Sequence, residues 1–292
     1  MRNLADIKYR IKGISQTRQI TGAMETISIA KMNKAMQAYH KNQMYFKRIR
    51  ETIHDITHYS EGIEHRYWHA KKNKRAVFIV IASDKGLAGG YNHNILSYAW
   101  EKMKGSDEHY IFTVGQMARE FFEKVNVKID VEFMHVTYSP SIADAAAIAD
   151  SIINLYDQDF MDEVYVVYTA MKSSSSSAPE IMRLLPMTKR EVIGEEAEYA
   201  EKPDEYYKEF YYDPSPEEVL NVLVPQYMTG LIYSCLIQSV ASEHSARVLA
   251  MTHATKNATE IIDKLNITYN RARQESVTNE MLEITTAAAN VK

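Results

Sequence analysis

The sequence predicts an α/β protein in which two long terminal helices form an antiparallel coiled coil, with an open, Rossmann-like α/β domain inserted between them. Two observations predict this fold class. Helical periodicity continues almost without interruption at both ends of the chain, and short β-branched runs alternate with helical stretches in the middle. We expect a first shaft helix over 1–58, an α/β domain over 75–212, and a second shaft helix over 215–292 that pairs with the first.

The N-terminal segment is predicted as one helix from Leu4 to about Ile56, weakened only by Gly13 and Gly22. Apolar residues recur at three- and four-residue steps, which indicates one apolar face. This stripe shifts between four groups, so we expect a pairing seam that wanders around the helix. The groups are Leu4, Ile7, Ile11 and Ile14; Ile20, Met24 and Ile27; Met32, Met36 and Tyr39; and Phe46, Ile49, Ile53 and Ile56.

The middle of the chain begins with a β-branched run from Ala76 to Ala82, which is typical of a strand buried on both faces. Strands alternating with helices of this length predict parallel β-α-β units. We expect the stretch between Ser173 and Asp213 to be irregular, with one more strand over 206–212. The other predicted strands cover 110–114, 131–136 and 164–169, and the predicted helices cover 92–104, 116–125 and 141–156.

The C-terminal helix has a clear start signal. Ser215 is suited to the N-cap, Pro216 to the first helical position, and Glu218 to the return bond of a capping box. Pro225 is expected to kink or break the helix, and Gly230 to weaken it. From there the pattern continues to about residue 290. Pairing this helix antiparallel with the first would bury both apolar stripes.

Composition bounds the class of protein. The net charge of −4 conceals an asymmetry, because Lys and Arg are concentrated in the first fifty residues and acidic residues between Glu191 and Glu218. The single cysteine, Cys235, excludes an internal disulfide and is expected to be a small apolar packing residue. No uninterrupted apolar stretch approaches the ~18 residues that span a bilayer, so we expect a cytosolic or peripheral protein.

Motifs at both ends and in the middle point to one family. The first helix contains Ile7-Lys-x-Arg10-Ile11, Thr17-x-x-Ile20-Thr21-x-Ala23-Met24 and Ala30-Lys31-Met32. The middle contains Ser83-Asp-Lys-Gly-Leu-x-Gly-Gly-Tyr-Asn92. The last helix contains Ala241-Ser-Glu-His-x-Ala-Arg247, Ala250-Met251, Ala254-Thr255-x-Asn257-Ala258, Tyr269-Asn270-x-Ala272-Arg273-Gln274 and Thr278-x-Glu280. This set resembles the gamma subunit of bacterial F-type ATP synthases, over the whole chain.

The chain departs from that family at two places. Gly22 stands where the family often has a lysine, and Ala287-Ala288-Ala289 replaces a terminal Gly-Ala-Ala. Gly22 is expected to cost about 1 kcal/mol of helix stability and removes a positive charge. The three alanines favour helix to the very end. The cysteine pair of the plant chloroplast proteins is absent from the sequence, which favours a bacterial origin.

The resemblance implies a rotor subunit that carries no catalytic residue and no cofactor. It implies a central stalk that transmits torque between the membrane c-ring and the catalytic alpha/beta ring, at the cytoplasmic face of the bacterial plasma membrane. The implied partners are the alpha and beta subunits, the epsilon subunit and the c-ring, with no nucleic acid. Ring contacts are implied for Met24, Arg247, Arg273, Gln274, Thr278 and Glu280, and a foot on the c-ring and epsilon subunit for Phe210, Tyr211 and Tyr212. Residues 284–292 would form a tip in an apolar collar.

Alternatives remain open from the residues alone. Met24 and Thr278 are equally suited to packing the coil. Gly86-x-x-Gly89-Gly90 after a strand suggests a phosphate loop and thus a nucleotide-dependent Rossmann-type enzyme with coiled-coil arms, although its spacing fits no nucleotide motif. The basic first helix suggests a nucleic-acid-binding module, although it has no interleaved aromatic residues.

Other possible sites are weaker. His54 with His58, and His65 with His69, have the four-residue spacing of helical metal ligands, but no cysteine accompanies them and no glutamate stands between a pair in the metalloprotease arrangement. The acidic pairs Asp144 with Asp150 and Glu195 with Glu196 show no pattern of a hydrolase.

Overall fold

The computed structural model describes residues 4–59, 65–71, 75–104, 108–173, 176–187 and 212–289. Both long terminal helices and the inserted sheet domain are present, so the predicted fold class is confirmed. The helices are α1 (Leu4–Tyr59), α2 (Tyr91–Met103), α3 (Gln116–Lys124), α4 (Ile142–Asp157) and α5 (Pro216–Ala289). The strands are β1 (Ala76–Ile81), β2 (His109–Val114), β3 (Val131–Phe133), β4 (Glu163–Ser173) and β5 (Ser176–Leu185), and a 3₁₀ helix covers Val136–Tyr138.

The chain divides into two compact units, each of which takes part of both terminal helices. One unit comprises Met1–Ala30 with Arg247–Lys292, and the other comprises Lys31–Ala246. We call the described part of the first unit, residues 4–30 of α1 and 247–289 of α5, the terminal helix pair. The second unit, the sheet unit, contains the remaining parts of α1 and α5 and the whole sheet. These boundaries fall within the helices, whereas the predicted domains place them at the helix ends.

The sheet has five strands in the order β3-β2-β1-β4-β5. The four strands β1 to β4 are parallel, as the alternation of strands and helices predicts, and β5 is antiparallel to β4. The stretch from Ser173 to Asp213 was expected to be irregular, and this expectation is wrong over Ser176–Leu185, which form β5. Its serines and Pro179 have low strand propensity, but an edge strand needs only one paired neighbour. The further strand expected over 206–212 lies mostly outside the described residues.

Strand and helix ends in the sheet unit follow local chemistry. Gly115 follows β2 with a φ of 93°, and a Cβ there would lie 2.4 Å from the Ala82 carbonyl oxygen, so only glycine fits. Ser141 and Asp144 form a complete capping box at the start of α4. Before β1, Arg75 binds the buried carboxylate of Asp162 through its side chain and its backbone amide. These contacts fix where β1, β2, β4 and α4 begin or end.

The main core of the sheet unit is built between one face of the sheet, α4, and the inner parts of α1 and α5. Phe46, Ile49, Ile53 and Ile56 of α1 are buried there, which confirms the last group of the predicted stripe. In this unit α1 and α5 run antiparallel. The side-chain amide of Asn42 donates to the Gly230 carbonyl (3.2 Å), and the rings of Phe46 and Tyr227 stack with centroids 4.7 Å apart.

The start of α5 agrees with its predicted cap, because the backbone amide of Glu218 donates to the Ser215 hydroxyl (3.3 Å). Pro225 lies inside α5 without ending it. Of the described helices, only Pro216–Thr286 is long and apolar enough on average to cross a bilayer, and 56% of the qualifying window is buried inside the structure. The mean hydropathy of a window can be high although polar residues interrupt it, whereas the sequence was searched for an unbroken apolar run. Burial of this kind is typical of a core helix.

Candidate functional site: the terminal helix pair

The seam of the terminal helix pair is partly polar. The hydroxyls of Thr21 and Thr255 are 2.7 Å apart, and the Thr252 hydroxyl donates to a carboxylate oxygen of Glu25 at 2.9 Å. Residue numbers rise along one helix as they fall along the other, so α1 and α5 are antiparallel here too. A hydrogen bond between these two hydroxyls in a half-buried seam fixes the register of the two helices, because a shift of either helix would break it.

The buried residues of this pair differ from the predicted stripe. Ile7 is buried as expected, but Ile20 and Ile27 are 60% and 57% exposed. Thr21 and Ser28, one position further along, are buried instead. The predicted second group of the stripe is therefore wrong at these two isoleucines. Periodicity cannot distinguish an apolar residue that faces the helix partner from one that faces outward.

Large apolar residues also lie exposed on α5 of the pair. Ile267 is 71% exposed, and the end of the helix exposes a succession of such side chains. Isolated exposed apolar residues are ordinary, but their concentration on one helix pair is typical of a surface that another molecule covers. Apart from Ile284, which belongs to the expected tip, these residues were not singled out in the sequence, because the apolar stripe of α5 was expected to pair with α1. The remaining members on α5 are Leu249, Ile261, Val277, Met281, Leu282 and Ile284, and Ile29 lies exposed on α1.

Four of the residues assigned to ring contacts lie exposed on the outer part of α5. Arg273 and Gln274 are neighbours, and Thr278 and Glu280 lie one to two turns beyond them. The Thr278 hydroxyl donates to the Gln274 carbonyl (2.8 Å), and the Ser276 hydroxyl donates to Glu280 (3.4 Å). The Arg273 guanidinium forms no ion pair or hydrogen bond with the described residues, so its donors are available to an external acceptor.

The other assigned residues are less accessible. Met24 is half-buried on α1, which is compatible with packing the coil as well as with a partner contact. Arg247 is only 7% exposed, so little of its guanidinium surface is available outside the chain. Tyr212 is partly buried against the main core of the sheet unit. Phe210 and Tyr211 lie outside the described residues, as do the side chains of 287–292 in the expected tip.

The glycine-containing loop after β1 is a tight turn held by the chain itself. The Ser83 amide donates to the side-chain oxygen of Asn92 (3.1 Å), and the Ser83 hydroxyl donates to the Lys85 carbonyl (2.7 Å). The Tyr91 amide at the start of α2 donates to the Ala88 carbonyl (3.2 Å). Phosphate loops present such amides to an anion. Here the two amides that flank the turn already have acceptors within the chain.

Of the two histidine pairs, His65 with His69 does not have the helical arrangement of metal ligands. His65 and His69 lie in a turn after α1, His65 buried and His69 exposed, so a four-residue spacing does not place them side by side. Burial lowers the pKa of His65, which favours the neutral ring. His54 contacts the neighbouring Asp55, and the side chain of His58 is not described. Within the described ranges no group of three His, Cys, Asp or Glu residues converges.

Of the remaining candidate residues, Asp144 and Cys235 have structural roles. Asp144 caps α4, Asp150 is exposed on the same helix, and Glu195 and Glu196 lie outside the described residues. Cys235 is fully buried in the main core of the sheet unit, as expected of an apolar packing residue. Burial also raises the pKa of its thiol, which suppresses the reactive thiolate.

Comparison with known proteins identifies the family. The family model described as ATP synthase matches residues 3–291. The ATP synthase gamma chain of Alkaliphilus metalliredigens (strain QYMF) is 40% identical over 289 residues, covering 99% of each chain. The chain belongs to the ATP synthase gamma chain family. A second bacterial gamma chain, from Acetivibrio thermocellus, is 38% identical and covers all of both chains.

Solved structures agree with this fold. The rotor of the Euglena gracilis mitochondrial ATP synthase has a TM-score of 0.66 at 15% identity, covering 94% of this chain and 98% of that one. A chain of the central stalk and c-ring structure from Tetrahymena thermophila has a TM-score of 0.57 at 19% identity, covering 80% and 99%. These likenesses show that the fold persists at low sequence identity.

Proposed function

We propose that this gamma chain is the central rotor shaft of a bacterial F-type ATP synthase. It transmits torque between the c-ring in the membrane and the catalytic ring of alpha and beta subunits, and the epsilon subunit accompanies it. ATP chemistry takes place on the beta subunits. The complex lies at the cytoplasmic face of the plasma membrane, to which this chain is peripheral. The observation that carries the proposal is the terminal helix pair, whose outer surface exposes apolar side chains while its own seam is partly polar.

A shaft inside a ring of like subunits works by asymmetry. To move a two-state partner from mostly open to mostly closed takes about 5.5 kcal/mol of differential contact. Exposed apolar residues such as Ile20 and Ile267 supply contacts of this kind when a partner covers them. Because these residues recur at uneven steps along the two helices, we expect different sides of the shaft to present different contacts. Each ring subunit then meets a different surface at any one rotary angle.

Polar groups on α5 would complement these apolar contacts. The Arg273 guanidinium offers up to five donors in a planar arrangement, and adjacent Gln274 offers both donors and an acceptor. Together they are suited to a loop that presents carboxylates or backbone carbonyls. Thr278 and Glu280 extend this polar surface along the helix. The small exposed area of Arg247 instead favours a role within the shaft.

The test is the double variant Arg273→Ala with Gln274→Ala, reconstituted in vesicles with the whole enzyme. We expect the complex to assemble and to hydrolyse ATP, with fewer ions pumped per ATP hydrolysed. A matched control is Lys264→Ala with Asn266→Ala, because both residues are exposed on the same helix. The control is expected to pump normally. Unchanged pumping per ATP in the Arg273 and Gln274 variant would refute this assignment.

A further inference from the structure

The sheet unit contains a cavity to which the proposed function assigns no role. It measures about 270 Å³ and lies between α1, α5 and the residues after the 3₁₀ helix. Its floor is apolar and consists of Ala35, Ala38, Ile237 and Val240. Ala35, Ile237 and Val240 belong to a buried cluster that also contains Ala241. With a water occupying about 30 Å³ of liquid, the cavity accommodates roughly nine atoms of that size.

The entrance of this cavity is basic. Lys31 and Lys34 both line it, and the Lys31 ammonium lies 4.0 Å from the ring centroid of Tyr138. The Lys85 ammonium lies 5.8 Å from the same centroid. No Asp or Glu is among the described residues that line the cavity. Neither Lys31 nor Lys34 forms an ion pair with any described residue. Positive charge at an apolar cavity without a carboxylate favours an anionic ligand.

We propose that this cavity is a binding site for a small amphiphilic anion, an unbranched alkyl carboxylate of about eight carbons. The alkyl chain would lie against Val240 and Ile237, and the carboxylate would accept from the Lys31 and Lys34 ammonium groups. Tyr138 holds Lys31 at the entrance by a cation–π contact, so the charge is positioned before the ligand arrives. A short chain fits the cavity volume, whereas a two-chain lipid or a folded helix exceeds it.

The experiment titrates octanoate into the full chain and follows the methyl groups of Ile237 and Val240 by NMR. Their signals are expected to shift and to saturate at one site. The methyl of Ile267, exposed outside the sheet unit, is the control for non-specific association and is expected to stay in place. Affinity should rise about fourfold for each added methylene from hexanoate until the cavity is full.

Variants test the charged contacts and the apolar contacts of the ligand separately. Lys31→Gln with Lys34→Gln should weaken octanoate binding about tenfold, because two charge-assisted contacts are lost. Lys124→Gln, an exposed lysine on α3, is the matched charge control and should bind as the parent does. Ala38→Phe should fill the cavity and abolish binding while the lysines remain.

Three results would overturn the proposal. Octanol could bind as tightly as octanoate, the shifts could be equal at Ile267, or the double lysine variant could bind unchanged. Tighter binding through the same lysines to phosphatidylglycerol vesicles or to an acidic peptide, without saturable octanoate shifts, would assign this surface to a membrane or to a protein instead.

Discussion

Gly230 lies in α5 where that helix packs against Phe46, and the structure predicts an unusual response to alanine. A Cβ at Gly230 would lie 2.8 Å from the Phe46 Cδ2 and 3.2 Å from its Cε2. The Phe46 ring is buried and stacks on Tyr227, so it has little freedom to move. By contrast, a Cβ at Gly22 of α1 would meet nothing within 4 Å. The two substitutions therefore test the same change with and without a neighbour.

Two opposed effects set the magnitude. Replacing glycine by alanine inside a helix stabilises a protein by about 1 kcal/mol. Overpacking a close-packed site costs about 1 to 3 kcal/mol. For Gly230→Ala we therefore expect a net loss of about 0 to 2 kcal/mol in the free energy of unfolding. For Gly22→Ala, where only the first effect acts, we expect a gain of about 1 kcal/mol.

The assay is urea unfolding of the full chain followed by far-UV circular dichroism. The decisive variant combines Gly230→Ala with Phe46→Leu, which removes the ring atoms that the new Cβ would meet. In that background the alanine should be neutral or stabilising. The reasoning is refuted if Gly230→Ala alone stabilises the chain as much as Gly22→Ala does.

Two further predictions concern buried polar groups. Burial raises the pKa of Asp162, but hydrogen bonds and charge from Arg75 outweigh it, so the pKa lies below its usual value. A depressed carboxyl pKa contributes stability above the unfolded value of about 4 and loses it as pH falls through the folded value. Urea midpoints measured from pH 7 to pH 2.5 should fall with the loss of this contribution to stability. The Asp162→Asn variant should lack this part of the pH dependence, and equal pH profiles of the two proteins would contradict the assignment. In the helix seam, Thr21→Val or Thr255→Val alone should cost about 1 kcal/mol, whereas the double variant should cost less than their sum, because no hydroxyl is left without its partner. Strict additivity in that cycle, measured by urea unfolding, would show that the 2.7 Å contact contributes nothing.

Most elements of the fold could be predicted from sequence because local patterns specify them. The run from Ala76 to Ile81 is apolar at every position and forms a strand buried along its whole length. Ser141 and Ser215 cap helices at the positions that their sequences indicate. Strand β5 was missed because its pairing with β4, and not its composition, makes it a strand. Pairing with a neighbouring strand leaves little trace in the composition of the strand itself.

The candidate site could be predicted only in part. The resemblance selects Arg273 and Gln274, and the structure places both on an exposed surface. It also selects Arg247, which the structure buries. Periodicity assigned Ile20 to the seam, whereas the buried neighbour is the polar Thr21. Which side of a long helix faces a partner depends on partners outside the chain, so amphipathic pattern alone cannot decide it.

The most direct test of the rotor assignment is rotation of this chain within its complex. His93 is exposed on α2, so His93→Cys provides a site for a bead or fluorophore, while buried Cys235 with its raised thiol pKa stays unlabelled. The alpha/beta ring is fixed to a surface and given ATP. The account predicts that the label rotates in one direction and stops when ATP is withdrawn. A ring that hydrolyses ATP while the labelled chain stays fixed would contradict it.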